Sequence, residues 1–213
     1  MREADSSGHP RIRSGLDSRT KYRFEPAPKS PFKVWEQPVK GMAYAIGVDV
    51  GDGVPGGDLS CANVVRADTM EQVAELAENV DPYRFAEKVV MIAEWYNYSQ
   101  VAVESNGHGL AVIHRIRELG FWNLYTRRAW DMVQHCWTNR IGWQTTVKTK
   151  PLLIDHAREC LRDGSVKINS KELLEEMLCY VLDDAGRANA MPGKHDDRVM
   201  AWMIALQLSL IHI

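Results

Sequence analysis

Four carboxylates stand where ionised groups are costly. Asp49 lies between Val48 and Val50 in the apolar run AYAIGVDV (43–50), and Glu104 closes a second apolar run, VAVE (101–104). Asp196 and Asp197 sit side by side in GKHDDRVMAW (193–202), at the head of a nearly unbroken apolar stretch from Val199 to Leu208. Buried carboxylates, and neighbouring ones most of all, resist ionising. A hard divalent cation removes the conflict, because it prefers oxygen ligands and neutralises the repulsion. Two such ions about 3.5–4 Å apart would clamp a phosphodiester, one activating water and the other stabilising the leaving oxygen, with no nucleophilic side chain required. Taken singly, each residue has a plainer use. Asp after a strand serves turns, and Glu104 could be a strand-end ion-pair partner. Asp196 suits a helix N-cap and Asp197 the first helical turn. Those uses do not explain why Asp49 and Glu104 both interrupt apolar strands.

The elements that must position these groups follow from periodicity. Residues 43–50 read as a strand ended by the glycine-rich loop GDGVPGGD, and 59–67 and 72–80 as further strands, an antiparallel meander on short connections. Asp81-Pro82 opens a helix carrying Phe85, Val89, Ile92 and Trp95/Tyr96 at helical spacing. SQVAVES (99–105) is a strand, a helix spans Leu110–Leu119, and FWNLYT (121–126) reads as another short strand. Residues 127–147 form a hairpin or loop excursion. Lys150-Pro151 opens a helix through Leu161 that stops at Asp163-Gly164, VKI (166–168) is a short strand, and Lys171–Tyr180 is a helix or helix–strand transition. Ala188–Lys194 is a small-residue loop, and a last helix runs from about 195 to the end. This order implies an α/β fold whose central mixed sheet has three antiparallel strands, then parallel ones, flanked by helices. Strand ends and helix starts in such folds converge on one sheet edge, where the carboxylates would meet.

Composition limits the alternatives. At 213 residues, 45% hydrophobic and 25% charged, the chain suits one globular core plus an arm. Residues 1–39, with five prolines, read as a linker or arm preceding a domain over 40–213; FKVWEQP within it could dock through Phe32, Val34 and Trp35. No apolar run long enough to span a membrane is present, and residues 1–15 lack the apolar stretch of a secretory signal. The four cysteines form no CxxC pair, so free thiols in a reducing compartment are expected. Residues 1–40 carry nine basic and five acidic groups, leaving 17 basic and 23 acidic groups in the remainder. An acidic domain of this kind needs local basic groups or bound cations to approach DNA.

The sequence resembles the C-terminal nuclease domain of the large terminase subunit of tailed double-stranded DNA bacteriophages, a ribonuclease H-like fold. The matching segments are YAIGVDVGDG (44–53) with GGDLS (56–60), DPYRFAEKVVMIAEWYN (81–97), VAVESNGHG (101–109), GWQTTVKTKPLLI (142–154) and GKHDDRVMAW (193–202), in family order over about 32–208. The resemblance implies a Mg²⁺- or Mn²⁺-dependent endonuclease, with two ions, that cleaves double-stranded DNA concatemers during genome packaging in the host cytoplasm. It implies Asp49, Glu104 and Asp197 as catalytic metal ligands, with Asp196 a fourth candidate. Asp58 stands where relatives often carry a further acid, though a turn role serves equally. His108 could position water or phosphate, or cap a helix. Lys148 and Lys150 could contact phosphates as point charges, or sit on a solvated surface. Double-stranded DNA is the implied partner, with the packaging ATPase, the portal and the small terminase subunit in the full-length setting, and no membrane. No GxxxxGK[ST] occurs, so the chain corresponds to the nuclease portion alone and is not expected to hydrolyse ATP.

Other readings compete. IGVDVGDG is similar to the phosphate-binding turn of actin-like ATPases and sugar kinases, but no second DxG turn or adenosine-binding GG segment accompanies it. GDGVPG fits GxGxxG, yet a strand-like run follows where a dinucleotide site needs a helix. A junction resolvase or transposase would share the acids but not GWQTTVKTKP. A non-catalytic docking module would expose aromatics among Trp130, Trp137 and Trp143; a packed hairpin is the plainer explanation for them.

Overall fold

The computed structural model of the chain describes residues 2–4, 10–12, 24, 27, 29–54, 56–182 and 188–211. In chain order the elements are β1 (Arg2–Ala4), β2 (Pro10–Ile12), β3 (Phe32–Val34), β4 (Tyr44–Asp49), β5 (Ser60–Arg66), β6 (Glu71–Glu78), α1 (Pro82–Trp95), β7 (Gln100–Val103) and α2 (Gly109–Glu118). They continue with β8 (Thr126–Asp131), β9 (Cys136–Ile141), α3 (Thr149–Asp163), α4 (Lys171–Leu178), β10 (Tyr180–Leu182), β11 (Ala188–Ala190) and α5 (Asp197–Leu210). Most of the expected arm, residues 1–23 apart from the β1–β2 pair, lies outside the described residues.

The central sheet runs β3-β6-β5-β4-β7. β4, β5 and β6 form the antiparallel meander, β3 adds an antiparallel edge, and β7 pairs with β4 in parallel. The expected mixed sheet is present. Its parallel part is β7, extended by single parallel bridges at Val101–Leu124, Glu71–Lys167 and Glu104–Trp143. FWNLYT and VKI therefore contribute bridges rather than strands of their own. Phe121 and Leu124 are both buried, a spacing of three that the two-residue alternation of a strand does not give. In the expected loop 188–194, Ala188–Ala190 instead pairs with Tyr180–Leu182. The glycine-rich loop after β4 leads into strand β5, not a helix, which removes the dinucleotide reading.

Alternation along β4 and β7 sorts the two cores. Ile46, Val48, Val101 and Val103 face one side, where α1 and α2 bring Phe85, Val89, Ile92, Val112 and Ile116. Ala45 and Ala102 face the other side, where α3 and α5 pack Leu153, Trp202, Ile204 and Leu206. α5 is buried almost all round, which accounts for its apolar run. α1 starts as its sequence dictates: the Asp81 side chain accepts from the Tyr83 and Arg84 amides, with proline in the first turn. α3 stops at Gly164, whose left-handed φ of 64° closes the last turn.

FKVWEQP docks through two of the three residues expected, Phe32 and Val34, and not through Trp35. Phe32 and Val34 pack on the core and Phe24 joins the Phe32 and Trp95 rings, while Trp35 stays exposed because it points the opposite way along the strand. The four cysteines are free; Cys61 and Cys160 are buried and Cys136 is exposed. Among the described residues no helix is long and apolar enough to cross a membrane.

Candidate metal centre

Strand period places the first two acids. Asp49 shares a face with Ala45 and Gly47, and Glu104 shares one with Ala102, so both carboxylates lie on the α5 side of the sheet. Val48 pairs with Val103, and the Glu104 amide donates to the Val48 carbonyl at 2.8 Å, which sets Asp49 and Glu104 abreast on adjacent strands. Their side chains meet within hydrogen-bonding reach. Asp49 is pushed well above the usual carboxylate range, first by burial, then by Glu104, then by Asp197 and Asp196. A cation bound there would offset that push on Asp49. Asn106 steadies Glu104: its amide donates to Oε1 at 3.1 Å and to the Thr145 carbonyl at 2.9 Å.

α5 brings the other acids by its first turn. Asp197 is 8% exposed and its Oδ2 accepts from the Leu59 amide at 3.1 Å. Its carboxyl is raised to about 6, mainly by burial, against the lowering effect of the Leu59 amide. Beside it, His195 Nδ1 lies 3.0 Å from Asp58 Oδ1 and 4.0 Å from Asp197 Oδ2. Asp58, His195 and Asp197 could together hold an ion, each offering one ligand atom within 4.8 Å of the others. Asp196 takes the N-cap position yet makes no capping bond with its side chain. It lies 3.7 Å from Lys150 Nζ, which also donates to Asn189 Oδ1 at 2.9 Å.

The capping work falls to Glu176 on α4. Its Oε2 accepts from the Arg198 and Val199 amides at 2.9 and 3.4 Å, and its Oε1 pairs with the Arg198 guanidinium at 2.6 Å. Arg198 reaches on to buried Glu75 at 3.3 Å, and Asn63 donates to the Arg198 carbonyl at 3.3 Å. This network fixes the register of α5 and leaves both aspartates uncommitted to the helix end. Glu176→Ala is expected to destabilise the protein by about 3 kcal/mol, since it strips a partner from a shielded arginine and a cap from α5. Glu176→Gln, which keeps an acceptor for the amides, should lose less. Urea unfolding of the two variants measures the difference.

Of the residues singled out in sequence, Asp49, Glu104, Asp58, Asp196, Asp197 and Lys150 are thus gathered at the carboxyl ends of β4 and β7 and the start of α5. His108 stands at the start of α2, exposed, with no capping bond from its side chain. Lys148 is exposed at the start of α3. Sequence reasoning did not select His195, although its place directly before the paired acids was the available signal. Nothing local marked Glu176.

A family model described as the terminase RNaseH-like domain matches residues 46–208. The large terminase nuclease of thermophilic phage G20c, crystallised with bound magnesium, is similar at a TM-score of 0.67 and 20% identity, over 84% of this chain and 88% of that one. The same nuclease with bound cobalt gives 0.66 at 20% identity over the same shares. The Thermus phage P74-26 large terminase nuclease domain gives 0.61 at 20% identity, over 83% of this chain and 85% of that one. No curated protein matches the chain.

Proposed function

This chain belongs to the terminase RNase H-like domain family, and from that premise we propose that it is a divalent-metal-dependent endodeoxyribonuclease that cuts double-stranded DNA concatemers during phage genome packaging. The observation that carries the reading is the meeting of Asp49 and Glu104 from separate strands, within the field of Asp196 and Asp197. The carboxylate oxygens of Asp49 and Glu104 fit a hard cation such as Mg²⁺ or Mn²⁺, and the neighbouring Asp58, His195 and Asp197 add two carboxylates and one imidazole nitrogen. The similar nuclease of phage G20c was crystallised with magnesium and with cobalt, which supports divalent chemistry here.

Asp49 and Glu104 would hold one ion, and Asp58, His195 and Asp197 a second, with Asp196 a further candidate ligand. Bound ions would supply Lewis-acid activation of water and charge stabilisation at the leaving oxygen. The chain's own groups prepare that centre. The Leu59 amide and the Asn106 side chain hold Asp197 and Glu104 in fixed orientations. Lys150 offsets the charge of Asp196 and so lowers the net negative potential that a phosphate would meet. Residues 40–213 form the nuclease domain in this reading, acting in the host cytoplasm beside the packaging ATPase, portal and small subunit.

Incubating supercoiled plasmid with Mg²⁺ or Mn²⁺, against an EDTA control, tests the proposal; intact plasmid under both ions would sink it. Branched and linear duplexes in parallel separate it from a resolvase, which would favour the branched one.

A pH dependence follows. With its carboxyl raised to about 6, Asp197 favours the ion-free fold at low pH and opposes it as pH rises. That opposition amounts to on the order of 2–3 kcal/mol above pH ~6. Ions bind the deprotonated form, so the rise in melting temperature on adding Mn²⁺ should be full above pH ~7 and fade below ~6. Scanning fluorimetry across that range reads it; an increment independent of pH would contradict Asp197 as a ligand.

A further inference from the structure

We propose that the β8–β9 hairpin is a DNA-gripping arm that lays one face against the duplex beside the scissile phosphate; this rests on the nuclease reading above. The hairpin grows directly from the candidate centre. Tyr125 and Trp143 at its base donate their amides to Val101 and Val103 of β7, and Trp143 bridges to Glu104 itself. Beyond that base the two strands pair only with each other, forming a separate two-stranded sheet. An isolated ribbon of this kind is marginal in water without a surface to rest on.

Its two faces differ. Cross-strand register puts Arg128, Trp130, Trp137 and Asn139 on one face, and Arg127, Asp131 and Arg140 on the other. Asp131, the hairpin's one acid, is tied to Arg140 at 2.8 Å on that second face. The first face therefore carries no carboxylate. There Trp130 and Trp137 meet edge to face at 5.6 Å while remaining 46% and 59% exposed, and the Arg128 guanidinium lies 5.4 Å from the Trp137 ring centre. Trp143 differs from both, being half-buried against Tyr125.

Charge selects the occupant. The face with the indoles carries Arg128 and no carboxylate, and residues 126–141 together hold three arginines against one aspartate in a protein whose formal net charge is −2. A cationic, acid-free, aromatic face attached to a phosphodiester-cutting centre complements a polyanion. A two-stranded ribbon also fits the width of the duplex major groove, about 12 Å. The arginine would meet phosphate and the indoles would cover sugar and base edges.

Binding of a fluorescent blunt duplex by the whole chain tests this, with Ca²⁺ present to neutralise the carboxylates without turnover. Arg128→Ala should weaken binding about tenfold and make the slope of log affinity against log salt shallower by about 0.9, one phosphate contact. Trp137→Ala should weaken binding at every salt concentration and leave that slope unchanged. Neither should alter the Mn²⁺-induced rise in melting temperature. The exciton couplet of the Trp130–Trp137 pair in circular dichroism checks that the hairpin survives in Arg128→Ala. Wild-type affinity and slope in both variants would overturn the proposal and leave this face to a protein partner. Variants that lose binding, beside a wild type that never cuts DNA, would uphold the arm and overturn the nuclease reading instead.

Discussion

Asp49→Asn is expected to abolish metal-dependent plasmid nicking and, in the same protein, to raise the melting temperature of the ion-free form. Both effects come from one cause. Asp49 is pushed well above the usual carboxylate range by burial, with Glu104, Asp197 and Asp196 adding to the push. At neutral pH the ion-free centre either retains a proton there or bears the repulsion. Asparagine keeps the shape and can still accept from the Val50 amide, the bond that now holds Oδ1 at 2.9 Å. Its amide donates where a second carboxylate would repel. Relief of about 1 kcal/mol corresponds to about 2–4 °C for a protein of this size. The same change removes a charge needed to hold an ion, and the lost transition-state stabilisation of several kcal/mol should cut the rate by about a thousandfold or more. Gel assays of nicking and fluorimetry without metal check the two halves. Nicking at the wild-type rate would remove Asp49 from the centre. A lower ion-free melting temperature would make it a structural residue. Asp197→Asn should lose nicking too, but with less gain in stability, because Asp197 is held by the Leu59 amide.

What the sequence made legible was whatever is periodic or costly. The meander and the helices follow from alternation and caps, and the acids stood out because each interrupts or heads an apolar run. Their convergence also follows from local rules: Asp49 and Glu104 close adjacent parallel strands on the same parity of the pleat. Features that depend on a distant partner were not legible. Leu124, Lys167 and Ala188 make sheet contacts only because another segment offers an edge, which is why 121–126, 166–168 and 188–194 read differently in sequence. Asp196 looked like an N-cap because local chemistry favours it there. The structure gives that work to Glu176, a substitution visible only after α4 has packed on α5.

The charge balance shows the same division. Composition marked the domain as acidic and required local basic groups or bound cations for any approach to DNA. It could not show that three arginines would sit on one hairpin rooted at Glu104, nor that the hairpin's acid would turn to the opposite face. Trp130 and Trp137 gave no better signal, since indoles in a strand serve a packed core and an exposed face equally well.

Gly47→Ala should damage both stability and catalysis more than any other exchange of one small residue for another in β4. α5 lies directly on the backbone of this strand, and a methyl group at residue 47 would come 2.1 Å from the Ala201 carbonyl oxygen and 2.3 Å from the Ala205 nitrogen. Both are main-chain atoms inside a helix, so no rotamer change relieves the clash. The helix must lift from the sheet, loosening Ala45, Trp202 and Ile204. The expected cost is about 3 kcal/mol or more, a large fraction of the 5–15 kcal/mol typical of a domain. Because Asp197 is the first residue of α5, the lift also carries it away from Asp49. A displacement of about 1 Å at a reacting centre can cost about a hundredfold in rate, so folded Gly47→Ala protein should be that much slower. Adding Ala205→Gly should rescue neither property, because the colliding atom is the backbone nitrogen rather than the methyl group. Urea unfolding and plasmid nicking of the single and double variants measure the outcome. Full recovery in the double variant would show that side-chain bulk, rather than the backbone approach of α5, sets the distance between the two halves of the centre.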